Sequence, residues 1–497
     1  MKKAVLVFVF LFGVFATQAQ QLLTDACKQA YDDILSLRFD DAAFLLEKEK
    51  SINPDNVYIV YLENYIDFLT LFIGENKTAF DSLENNKVKR LEQISKLSDD
   101  SPLKKYMLGN IYLQWAVARL KFGEYFTAAF EINKAYRLLD ANSREFPEFV
   151  PNQISLGVLH IMIGLVPDKY HWILSLISMK GSIEEGRAEL SDVLQKSKTD
   201  STYAYLRNEA LFYLGFVELN LSPDKKQAVA LLNQLEDARQ NNLLLSYLTI
   251  NILIRTGQNE KALQEFDRIS EREAYLPFYY LDYLHGECLL HKLETKKARE
   301  KYSLFLENFS GKNYLKDALR KKAWSFLLDG DTLEYLNTLK QIPETGNKDV
   351  DIDKQAEHEA ENHTVTPNTD LLKAALLFDG GYYIKADSVL NTIVPESLTR
   401  EQALERSYRK ARIADESGHV EKAKAAYLQT IEDGKNSRRY FAGNAALKLA
   451  GIYESEGNLT QATHYYRACL KMEFTEYESS IHSKAKAGLK RVSDNQH

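Results

Sequence analysis

Three places in the 497-residue sequence set reactive side chains at spacings that chemistry uses. His285, Cys288 and His291 stand three apart, so a helix would flank a thiol with two imidazoles. A cysteine nucleophile also needs a group that orients its base and donors that hold an oxyanion. Neither stands nearby, so the three read as ordinary helical residues. Asp349, Asp351 and Asp353 alternate like the opening of a calcium loop. Position six is then Lys354, where the loop needs glycine, and position twelve is Ala360, where it needs a bidentate glutamate. His358, Glu359 and His363 resemble a zinc helix, but two ligands on one helical face must be four apart and these histidines are five apart. Both strings read as solvated loop. The sequence has no Gly-rich phosphate loop, GxSxG elbow or CxxC pair. The expectation is a protein that is not an enzyme, with no catalytic residue, no metal and no cofactor.

What must be positioned is therefore surface. Hydrophobic residues make up 45% of the chain and charged residues 27%, enough apolar material for a large core. Ten prolines and 22 glycines stand against 29 tyrosines and 24 phenylalanines. Few breakers and many aromatics predict helices with bulky packing between them. The net charge of −7 argues against a nucleic-acid partner, which would call for a basic excess. Cys27, Cys288 and Cys469 are too few and too scattered for a disulfide framework. They read as small buried hydrophobes.

The chain opens with Met1, Lys2 and Lys3, an apolar run over residues 4–16, and Thr17 and Ala19 at the −3 and −1 positions of a cleavage site. That is the pattern of a secretory signal peptide over residues 1–19, cut near Ala19. The apolar run is too short for a bilayer, which needs about 20 residues. Cys27 is too far away and lacks a lipobox, so a lipoprotein is not expected. The mature chain is expected to be soluble, and periplasmic or secreted.

One phrase recurs beyond the signal: a turn, often with glycine, a small residue five positions on, and a bulky residue four after that. It reads Gly457, Ala462, Tyr466; Gly418, Ala423, Tyr427; Gly381, Ala386, Leu390; Gly257, Ala262, Phe266; and Gly123, Ala128, Ile132. Weaker copies place Ala298 with Tyr302, Ala228 with Leu232 and Ala42 with Leu46, and a degenerate one at Gly330 has Tyr335 in the small position. Ala228 to Ala262 is 34 positions, and Ala262 to Ala298 is 36. The pattern resembles the tetratricopeptide repeat, a helix–turn–helix of about 34 residues. Alanine lets the second helix press on the first, and the bulky residue fills the adjoining gap. The resemblance implies an all-α fold, an α-solenoid whose concave groove holds a protein or peptide. Trp324, Tyr408 and Tyr453 are the candidates for that groove. Arg438 and Arg439, in the run KNSRRYF, are candidates for an anionic contact.

Two stretches break the rhythm. Residues 152–190 read as two apolar helices joined at Pro167-Asp168-Lys169, punctuated by Gly157, Gly164, Gly181 and Gly186. The order Gly157, Leu165, Pro167, Leu174, Gly181, Gly186 resembles a segment of the family of the animal tetratricopeptide-repeat protein 39 and the yeast inclusion-body clearance protein. That resemblance implies helical repeats linked to lipid-related processes. The plainer reading is a buried hairpin. The functional one is a lipid or membrane surface met through Tyr170, Trp172 and Leu174. Residues 343–368 are acidic and poor in large apolar groups, and read as a flexible linker or loop. The expected organisation is repeats over 20–150, the apolar hairpin region over 151–200, repeats over 201–342, the linker, and repeats over 369–492.

Overall fold

The computed structural model describes residues 23–166, 179–222, 225–269, 272–362 and 366–494. The signal segment lies outside them. So do Tyr170, Trp172, Leu174 and His363. Among the described residues the regular elements are α-helices with a few short 3-10 turns, so the fold is all-α.

A single backbone signature makes the hairpins. A residue with φ between +64° and +86° stands five positions before Ala42, Ala128, Ala262, Ala298, Tyr335, Ala386, Ala423 and Ala462. It is Gly123, Gly257, Gly330, Gly381, Gly418 and Gly457, but also Leu37 and Leu293. A non-glycine residue there costs about 1–2 kcal/mol. Burial of the two leucines offsets it: Leu37 is fully buried, and Leu293 packs on the cluster around Leu377 and Leu390. The small residues Ala42, Ala128, Ala228, Ala262, Ala298, Ala386, Ala423 and Ala462 have no exposed surface, nor does Tyr335. Four positions on, Leu46, Phe266, Tyr302, Leu339, Leu390, Tyr427 and Tyr466 are buried. Ile132 and Leu232 are only half-buried. At Leu232 the frame slips because helix Lys226–Ala230 ends and Leu232–Ala238 restarts, so Leu231 and Leu235 fill the gap.

The chain divides into two compact units. The first comprises Met1–Leu253, Gln264–Leu281 and Phe309–Gly311; the second comprises Ile254–Leu263, Asp282–Asn308 and Lys312–His497. In the first unit the hairpin of Asp25–Leu35 and Phe39–Ile52 meets helix Arg207–Asn220 far along the chain. The hydroxyls of Tyr31 and Tyr65 both donate to the buried carboxylate of Glu209. Tyr58, Tyr61 and Tyr106 are buried in the same interior. Helix Val57–Gly74 has the length and apolar character to cross a membrane, but 61% of it is buried within this unit. Its Asn64 accepts from Trp115 Nε1 at 3.0 Å and donates to Gln114 at 2.7 Å.

The second unit stacks hairpins in chain order. Thr369–Asp379 pairs with Tyr383–Thr392, Arg400–Glu416 with Val420–Gly434, and Phe441–Ser455 with Leu459–Lys471; Glu478–Asp494 closes the series. Residues 343–368 are not a continuous loop. Helix Asp351–Glu361 forms there and packs on helix Leu315–Leu328. The physical reason is polar: its acidic residues find partners on that helix, although Ala356 and Ala360 are its only buried apolar side chains.

Candidate functional site

The second unit presents two groups of charge on the first helices of its hairpins. The first lies on Arg400–Glu416, Phe441–Ser455 and Glu478–Asp494. Arg412, Lys448 and Lys484 stand 36 residues apart in turn, one on each of these successive helices. The repeat therefore places them in one row. They are close enough to repel: burial, then the charges of Arg412 and Lys484, lower the Lys448 pKa. Burial, then Arg255 and Arg412, lower that of Lys484. Like charges disfavour the protonated amines, and at the half-buried Lys448 less water screens them than at the exposed Lys484. Glu416 is the carboxylate in ion-pair range, 3.9 Å from Arg412 and 4.0 Å from Lys448, both at the outer limit. The Arg412 Nε is buried without a hydrogen-bond partner. An anion laid along this row would relieve the repulsion.

Tyr408 holds the row rather than facing an open groove. It is 2% exposed, and its hydroxyl oxygen accepts from Asn444 Nδ2 at 2.7 Å and from Arg412 Nη1 at 3.1 Å. Tyr453 is half-buried at a junction between hairpins. Its ring stacks on Tyr465 with centroids 5.7 Å apart, and Lys424 Nζ stands 5.2 Å from its centre. Arg438 and Arg439 are exposed in the loop before Phe441–Ser455. The Arg438 carbonyl accepts from the Thr475 amide at 3.0 Å, and Arg439 stands 3.4 Å from Glu476. They lie off the row. The structure thus brings Tyr408 to Arg412 and leaves Tyr453, Arg438 and Arg439 in separate packing and loop contacts. Reading the helices at a 36-residue offset is the signal that finds Arg412, Lys448 and Lys484.

The second group lies on Leu315–Leu328, and the acidic helix covers it. Asp353 accepts from the backbone amides of Tyr314 at 2.6 Å and Asp317 at 2.9 Å. It serves as a cap from outside for first-turn amides that have no partner within their own helix. Burial pushes the Asp353 carboxyl up to about 6 despite these two donors. Glu357 bridges Lys316 at 2.9 Å and Lys348 at 2.8 Å. Glu359 accepts from Trp324 Nε1 at 2.8 Å and from the Tyr335 hydroxyl at 3.2 Å, and burial raises its pKa. Trp324 is therefore half-buried beneath the chain's own acidic segment, with the Arg320 guanidinium 4.8 Å from its ring centre. Below it, Asp317 is fully buried and accepts from the Tyr283 hydroxyl at 2.6 Å and Lys321 at 3.0 Å.

The other chemical candidates do not converge. Cys288 is fully buried, and burial pushes its thiol well up, which keeps it from the reactive thiolate form. His291 is buried, its pKa lowered by that burial, and its Nδ1 has no partner. Asp349 accepts from Asn347 at 3.1 Å and Asp351 pairs with Lys354 at 2.9 Å, while Asp353 points into the helix cap. The three aspartates share no ligand position.

No protein-family model matches the chain, and no curated protein matches it. A solved structure that it resembles is the crystal structure of the P58(IPK) TPR domain, at 13% identity and a TM-score of 0.22, over 84% of this chain and 97% of that one. A likeness at that score carries no argument. The tetratricopeptide-like character of the hairpins rests on their own turns, small residues and packing.

Proposed function

We propose that this chain is a non-catalytic helical-repeat scaffold that holds a protein or peptide partner in the cell envelope. An acidic segment of the partner lies along Arg412, Lys448 and Lys484. The observation that carries this reading is the row itself: three cations in one register, Arg412 and Lys448 half-buried and Lys484 exposed, repelling one another, with Glu416 at the edge of ion-pair range. Free-energy cost retained in register on successive repeats is what a binding face looks like before its ligand arrives. The signal peptide read at residues 1–19 supports export, and with it an envelope partner.

A lipid surface met through the apolar hairpin over residues 152–180 is the competing reading. Leu165 is 50% exposed within that stretch, whereas Ile154, Leu159, Ile161 and Ile163 of helix Pro151–Gly164 are buried. The test is crosslinking and pull-down of the tagged protein from its native envelope, beside the double variant Lys448→Glu, Lys484→Glu. Capture by the native protein that disappears in the variant supports the scaffold. Capture that is unchanged removes the row from the reading. Flotation of the native protein with liposomes, lost on deletion of residues 152–180, would establish the lipid reading instead.

A further inference from the structure

Partner binding by the row leaves unused the four glycines of the apolar centre. In the structure they bring helix Pro151–Gly164 against helix Ile183–Thr199 until the backbones touch. A Cβ on Gly186 would stand 2.3 Å from the Gly157 carbonyl oxygen, and one on Gly181 would stand 2.7 Å from the Cα of His160. Only hydrogen fits at either place. The close approach aims His160 at the first turns of the second helix. Its Nδ1 is 2.8 Å from a Glu189 oxygen and 3.8 Å from a Glu185 oxygen, and the three ligand atoms all lie within 4.8 Å of one another. Glu185 and Glu189 are four residues apart, so one helical face carries both.

The surroundings favour a cation. His160 is 8% exposed and fixes the inner side, while the Glu189 and Glu185 side chains are 23% and 54% exposed and leave the outer side open. Asp140 adds negative charge within electrostatic reach of the imidazole. Arg187, on the same helix as the glutamates, is committed to Glu218 at 2.7 Å. Nitrogen and carboxylate ligands hold a divalent ion at about 2.1 Å, which sets tetrahedral ligand atoms about 3.4 Å apart. The two His–Glu distances bracket that value. Imidazole beside carboxylates selects first-row transition ions over calcium or magnesium.

We infer that His160, Glu185 and Glu189 form a site for one divalent transition-metal ion of the zinc type, with a remaining position open to water. The test is calorimetric titration of the untagged full-length chain with Zn²⁺ at pH 7.5, with Co²⁺ absorption as a second readout. One ion per chain should bind, with micromolar dissociation. Glu189→Gln and His160→Gln should each weaken it by at least about twentyfold, and Glu185→Gln by less. Glu185→Gln, Glu189→Gln alters only the partly exposed carboxylates. It keeps the inference testable if the His160 variant does not fold, which circular dichroism reports. Absence of saturable binding, or binding unchanged in that double variant, would overturn the site. Zinc is titrated without any partner, so failure here leaves the partner reading standing.

Discussion

Gly381 and Gly418 share a backbone conformation and differ in what surrounds them. Their φ values are +80° and +77°. A Cβ on Gly418 meets nothing within 4 Å, whereas one on Gly381 would stand 1.9 Å from the carbonyl oxygen of Gly257, itself the turn residue of another hairpin. Glycine at 418 thus serves conformation alone, and at 381 it serves conformation and a backbone contact. Gly418→Ala should cost about 1 kcal/mol, the ordinary penalty of a left-handed residue. Gly381→Ala must also move a turn and should cost about 3 kcal/mol or more. Urea denaturation of the two variants checks this. Equal losses would show that the contact between the turns yields without cost. The same turn position explains why some hairpins read poorly from the sequence. At Leu37 and Leu293 the left-handed residue is leucine, so the punctuation vanishes while the alanine five residues on remains.

Helix Asp351–Glu361 shows where a reading of composition runs out. Charge periodicity does not reveal partners, and a segment with so little apolar surface reads as solvated loop. The helix exists because Asp353 meets two backbone amides, Glu357 two lysines, and Glu359 an indole and a phenol. The row of Arg412, Lys448 and Lys484 was hidden for the same reason: one cation on a helix looks like solvated surface until its repeat register is compared. By contrast, the alanine frame was readable because apolar spacing is written in residue types. The acidic helix carries a pH consequence. Burial holds the Asp353 carboxyl at about 6, above the usual value near 4. The docked helix therefore holds that proton more tightly than the undocked one. Its contribution to docking is full below about pH 4 and is lost as pH rises through 6. Glu359 is shifted the same way, whereas Glu357, lowered first by Lys316 and then by Lys348, opposes docking only in more acidic solution. Hydrogen exchange of residues 351–361, corrected for the intrinsic rate, should show opening roughly tenfold easier at pH 7 than at pH 5. Asp353→Asn should flatten that dependence and cost about 1 kcal/mol as a weakened cap. Opening that is independent of pH in the native chain would refute the assignment.

The two units distribute stability differently. The first is tied by contacts between residues far apart in the chain. Asn208 donates to Asp32 at 2.8 Å, Tyr31 and Tyr65 donate to Glu209, and the amides of Leu243 and Leu276 donate to the carbonyls of Ser36 and Leu37 at 3.3 and 2.7 Å. Such ties make distant hairpins open together. The last hairpins of the second unit pack mainly on the elements before and after them. Coupling between neighbours alone lets the end of a stack open first. Two substitutions separate the regimes by native-state hydrogen exchange. Ala462 is fully buried in a cluster with Ala446, Ala450 and Tyr466, so Ala462→Leu overpacks it and should cost about 1–3 kcal/mol. The loss of protection should be greatest from Phe441–Ser455 to Glu478–Asp494, smaller in Arg400–Glu416, and smallest in Thr369–Asp379. Glu209→Gln puts an amide donor where one of the two buried phenols finds its acceptor and should cost about 1–3 kcal/mol. Its effect should reach Asp25–Leu35, Val57–Gly74 and Arg207–Asn220 equally, because all three meet at that carboxylate or its phenols. A graded loss in the first unit, or a uniform one in the second, would mean that these long-range ties do not set the cooperativity.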